Sequence, residues 1–165
     1  VAKTGSVAAR KVVELLIAPE AGVARAVAEL AEESGVALAA LPPAHVMNQN
    51  VAADLIEKSQ VVKYPVIHVY ADRIQNELKE KFRTFSGSVR TVTEVRVSHD
   101  RLEGLEDRLR LYVDAVTRVL DSNRGSWGEG AFFAGKYEVT IDPVKHGGRN
   151  FLQVAKVVFE VDLSL

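Results

Sequence analysis

The spacing of apolar positions changes along this chain, and each change marks a new kind of element. Residues 6 to 18 carry Val12, Val13, Leu15 and Leu16 behind Ser6, a side chain suited to an N-cap, and stop before Pro19. Proline lacks the backbone N–H and clashes with the preceding turn, so a first helix ends there. In residues 20 to 34, Val23, Val27 and Leu30 recur at steps of four and three, and Gly35 follows. That spacing predicts a second helix with one apolar stripe, closed by a glycine in the left-handed position. "VALAAL" fits either a short buried strand or a loop, and Pro42-Pro43 breaks it. A third, short helix is expected over Asn50 to Lys58.

From Tyr64 the period shifts. "YPVIHVYA" is a β-branched and aromatic run with Pro65 at its entry, where a missing N–H least disturbs a ladder, so it reads as a strand. "RIQNELKEKF" sets Ile74, Leu78 and Phe82 four apart with Glu77 and Lys81 at the same interval, which fits a short amphipathic helix or a structured arm. In "SVRTVTEVRVSH", Val89, Thr91, Thr93, Val95 and Val97 alternate with Arg90, Glu94 and Arg96, the signature of a half-buried strand. Residues 101 to 121 then place Leu102, Leu105, Leu109, Val113, Val116 and Leu120 on one helical face. "KYEVTID" alternates again, and "FLQVAKVVFEVDLSL" puts Phe151, Val157, Phe159, Val161 and Leu163 on one side of a strand. The sequence is thus expected to end in a strand, and ordered chain ends suggest docking onto other subunits.

The expected fold class is therefore α+β: a mainly antiparallel sheet of about four strands, covered on its apolar face by the helix at 101 to 121. The short connection "PVKHGGRN" between the last two strands points to a hairpin rather than a crossover. Residues 1 to 165 make one domain, with 1 to 60 as a helical extension and 61 to 165 as the core.

Composition narrows the classes. With 47% apolar and 26% charged residues, the chain is neither disordered nor fibrous in type. Its 21 basic and 22 acidic side chains leave no bulk attraction to phosphate backbones or anionic lipid. The absence of cysteine removes disulfides, thiolate metal sites and a thiol nucleophile. No apolar run nears the roughly 18 residues needed to cross a bilayer, and "VAKTGSVAARK" lacks a signal-peptide pattern, so a protein that stays in the cytoplasm where it was made is expected.

Four places carry candidate chemistry. His99 to Asp114 gathers one histidine and five carboxylates. Asp100 and Glu103 have the spacing of an N-cap and N3 pair that satisfies free backbone donors, so helix capping is expected and a metal or acid/base site using His99, Asp100 and Glu103 is the competitor. "KHGGRN" sets Lys145, His146 and Arg149 around two glycines, but a phosphate cradle feeds a helix N-terminus and here a strand follows, so a hairpin turn is expected. In "NRGSWGEGAFFAGKY" four glycines surround Trp127, Phe132 and Phe133. These aromatics either form a partner surface or fold back over the core. His45, His68, His99 and His146 are scattered, which favours separate structural roles, and Ser86 and Ser126 lack a nucleophile-elbow context.

Taken together, "YPVIHVY", "EKFRTFSGSVRTVTEVRVSHDRLEGLEDRLRLYVDAV" and "GKYEVTIDPVKHGGRNFLQVAKVVFEV" resemble the tail terminator and neck (head-tail joining) proteins of tailed bacteriophages, over about residues 60 to 165. The resemblance implies a structural virion protein rather than an enzyme, without metal or cofactor. It implies a homohexameric ring that caps the tail tube and joins the head connector, with DNA passing through without specific binding. A head completion or connector protein is the nearest alternative, and a small metal-dependent hydrolase or nuclease is the alternative of another class. The expected contact surfaces are the arm at 73 to 87 with Phe82 and Phe85, the aromatic loop at 123 to 135 with Trp127, Phe132 and Phe133, the C-terminal strand, and the basic turn Lys145, His146 and Arg149. The implied location is the virion neck, with assembly in the host cytoplasm.

Overall fold

A computed structural model of the chain describes residues 4–52, 63–147 and 149–165. The expected short helix at 50 to 58 falls mostly outside the described residues, and 50–52 are not helical. Helix α1 spans Thr4–Leu16 and α2 spans Val23–Ser34. α1 starts before Ser6, so that serine lies inside the first turn rather than at the N-cap. α2 starts later than expected because residues 17 to 22 turn tightly: a Cβ on Gly22 would sit 2.4 Å from the Ala18 carbonyl oxygen. Gly35 closes α2 at φ 70, its N–H donating to the Ala31 carbonyl.

"VALAAL" forms neither helix nor strand. A 3-10 turn at Pro43–His45 leads into β1 (Val46–Met47), which runs parallel to Ile67 and His68 of β2 (Val66–Asn76). β2 pairs antiparallel with β3 (Ser86–His99), with a register shift between Ala71 and Arg73. β3 in turn pairs along its whole length with β8 (Asn150–Ser164), from Ser86 opposite Ser164 to His99 opposite Phe151. Three short strands follow one another along the other side of β8. They are β7 (Lys145–Gly147), β6 (Tyr137–Ile141) and β5 (Ala131–Phe133), and β5 pairs with β4 (Gly125–Gly128).

The fold is α+β, and the described residues form one mixed sheet of eight strands with three α-helices. The sheet is larger than the four-stranded, antiparallel one expected. The four segments with a readable alternation became β2, β3, β6 and β8, while β1, β4, β5 and β7 are two to four residues long. So short a strand holds no readable alternation.

Helix α3 (Leu105–Asp121) buries Leu105, Leu109, Tyr112, Val113, Val116 and Leu120 against the face of β3 and β8 that carries Val95, Val97, Val157 and Phe159. α1 packs on β2 and β3 of the same layer through Ala8, Ala9, Val12 and Leu16. α2 packs on α3, where Arg118 holds the Glu33 carboxylate with both terminal nitrogens, at 3.2 and 3.1 Å. The N-terminal helices thus share the core with the sheet instead of extending from it.

Candidate functional site

The connection from β2 to β3 is an arm, not a helix. Short polar side chains take the backbone groups that a helix would use for itself. The Asn76 Oδ1 accepts from the N–H groups of Leu78 and Ser86 at 3.2 and 3.1 Å, and the Ser86 Oγ accepts from Glu80 N–H at 2.8 Å. Leu78 and Phe82 consequently sit at φ 49 and 65, in the left-handed region that non-glycine residues seldom enter. Of the two readings open for this segment the arm is the one formed, and its apolar series faces solvent: Ile74 is 52% exposed, Leu78 66% and Phe82 103%. Phe85 differs. It is buried at the arm's root, where its backbone exchanges two hydrogen bonds with Leu165. Phe85 therefore leaves the expected contact surface and joins the core.

The aromatic segment divides in a similar way, because successive residues of a strand point to opposite sides. Phe133 is buried between Trp127 and Phe159, each ring 5.3 Å away. Trp127 is half-buried and donates its indole N–H to the Asn123 carbonyl at 2.6 Å. Phe133 and Trp127 thus fold back over the core, while Phe132 alone of the three points outward. At the tip of this hairpin Glu129 binds Arg10 and Lys11 of α1, at 2.6 and 3.4 Å. The hydrogen bond from Arg10 comes first among the causes that hold the Glu129 carboxyl below the usual range.

Lys145, His146 and Arg149 are exposed around the β7–β8 turn, and the His146 ring packs edge-on against Phe151 at 5.5 Å. This is the hairpin expected from the sequence.

The start of α3 contradicts the capping expectation. Residues 101 to 104 make a separate turn, and Gly104 at φ 74 precedes the first helical residue with no side-chain cap. Glu106 and Asp107, rather than Asp100 and Glu103, occupy the acidic first turn, and Leu102 is left exposed outside the helix. His99 Nδ1 lies 3.0 Å from both the Asp100 carboxylate and the Arg101 N–H. These residues line an open depression with Glu103, Gly104 and Arg108. Among the described residues no three His, Asp or Glu side chains are gathered so as to hold a metal ion.

One cluster was not legible in the sequence. On the sheet face away from the helices, His68, Glu94 and Arg96 are buried although alternation assigns β3's Glu94 and Arg96 to solvent. Arg96 donates to Glu94 at 3.2 Å and to the Val51 carbonyl, and Tyr70 donates to Glu94 at 3.3 Å. Burial pushes the His68 imidazole down to about 4, with the Arg96 charge second, and pushes the Tyr70 phenol up to about 12, with Glu94 second. Further along the same face the sheet is open, lined by Arg73, Arg90, Lys136 and Lys156 with Glu138, Glu160 and Asp162.

No protein-family model matches the chain, and no curated protein sequence matches it.

Proposed function

We propose that this chain is a structural assembly protein, a tail terminator that caps the tail tube of a bacteriophage as a ring and joins it to the head connector. The observation that carries the reading is the arm. The arm and the adjoining end of β2 leave Ile74, Leu78 and Phe82 exposed, the last two in left-handed backbone conformations. Burying a side chain of this size is worth about 1.5–3 kcal/mol, and the arm obtains none of this from Phe82 within its own chain. Exposed apolar side chains set in an ordered polar frame are suited to a partner surface.

The rest of the molecule supports the same reading. β6 is paired with β8 on one side and, among the described residues, with no strand on the other, leaving backbone groups for a neighbour. Phe132 and the exposed Lys145, His146 and Arg149 turn offer further contacts. Heterologous contacts between identical copies close into a ring when the rotation permits, and the resemblance implies six copies with the DNA path through the centre.

Adding the purified chain to tail tubes elongating from their own subunits tests this. Arrest of growth, with tubes capped at one end in electron micrographs, is the expected result. Arrest lost in Phe82→Ser, with the far-ultraviolet circular dichroism spectrum unchanged, would place the arm in the contact. Tubes that grow on uncapped in the presence of the wild-type chain would refute the reading.

A further inference from the structure

Residues 36 to 52 bend around the outer edge of β2. On the helix side, Tyr112 of α3 donates to the Ala39 carbonyl at 2.8 Å. At the edge, β1 pairs with Ile67 and His68, and His45 Nδ1 meets the Pro65 carbonyl at 2.9 Å. On the far side, the chain is tied by two side chains from the sheet: His68 bonds the backbone of Gln49, and Arg96 donates to the carbonyl of Val51. His68 and Arg96 are 1% and 2% exposed, so this stretch and its surroundings keep water from both.

We propose that residues 46–52 are an acid-released strap, detached from the sheet face when His68 takes up a proton. The reason lies in the hydrogen bonding of the cluster. His68 Nδ1 is buried and has no partner among the described residues. A proton there creates a second donor without an acceptor and a second cation beside Arg96, where water is excluded. The carboxylate at hand is Glu94, already engaged by Arg96 and by Tyr70. Lys156, cross-strand from Glu94 on β8, adds positive charge to the same face. The strap brings Met47, Asn48 and Gln49, none of which titrates. Lifting it returns both cations to water at the loss of two bonds to backbone carbonyls, the short β1–β2 pairing and the burial of Val46.

His68 titrates near 4 when covered against an ordinary 6.5, so the closed state is fully favoured above pH 6.5 and loses ground as the pH falls toward 4. One proton taken up on opening raises the open population about twentyfold between pH 7 and 5, above the usual range of carboxylate titration.

The chain has no cysteine, so a single reporter can be introduced. Val66→Cys places a thiol next to Arg96 in the ladder, at a position 1% exposed, and Val116→Cys reports the core under α3. Labelling by a dithiodipyridine, normalised to a free thiol peptide, is compared at pH 7 and 5. The expected result is acceleration of about twentyfold in Val66→Cys, little change in Val116→Cys, and no acceleration in Val66→Cys when His68→Gln is added. Equal acceleration at both positions would mean global acid unfolding and would overturn the strap, as would acceleration that persists in His68→Gln or none at all. If Val66→Cys does not fold, amide exchange of residues 46–52 and 66–68 in the unmodified chain and in His68→Gln, corrected for intrinsic rates, decides on the same criteria.

Discussion

At the scale of single residues, neighbours in the chain have opposite fates. Phe132 and Phe133 are adjacent, yet one faces solvent and the other fills the space between Trp127 and Phe159. Phe133→Ala leaves a cavity in a close-packed layer and is expected to cost about 3–5 kcal/mol in urea denaturation, whereas Phe132→Ala is expected to stay within about 0.5 kcal/mol. Equal losses would contradict this division. The sequence left both roles open because glycines on either side hide the strand period. His68, Glu94 and Arg96 were hidden for another reason: alternation tells which side chains share a face, but not whether a distant loop covers it. The strap from Val46 onward makes that face an interior.

At the scale of elements, the long periodic segments were readable, and their ends were not. α3 carries its apolar stripe where the spacing of Leu105, Leu109, Val113, Val116 and Leu120 puts it. Its start is set by Gly104 and the turn before it, which no periodicity reports. Asp100→Ala and Glu103→Ala are accordingly expected to change stability by less than about 0.5 kcal/mol each, against about 1 kcal/mol for a true cap. A loss of the larger size on thermal denaturation would restore the capping role. The arm shows the same limit from the other side. Ile74, Leu78 and Phe82 have helical spacing, but Asn76 and Ser86 bind the intervening backbone and hold it open. Local side-chain bonding outweighed an apolar stripe that had nothing to pack on.

At the scale of the whole molecule, the sheet organises everything around β8. Its long partner β3 lies on one side and the short strands β5, β6 and β7 divide the other. The α+β class was legible because four strands and the central helix have clear periods. The width of the sheet and the inclusion of α1 and α2 in its core depend on contacts distant in sequence. The resulting body is well packed on its helical side and leaves an apolar arm and a strand edge outside, the surfaces on which the proposed association with sister copies rests.

Sedimentation equilibrium of the purified chain and of Phe82→Ser tests this association most directly. Six copies of an 18.0 kDa chain give about 108 kDa for the wild type, and the variant is expected at or near 18.0 kDa with its far-ultraviolet circular dichroism spectrum unchanged. A wild-type chain that stays at 18.0 kDa across the concentration range, alone and with tail tubes present, would contradict the account.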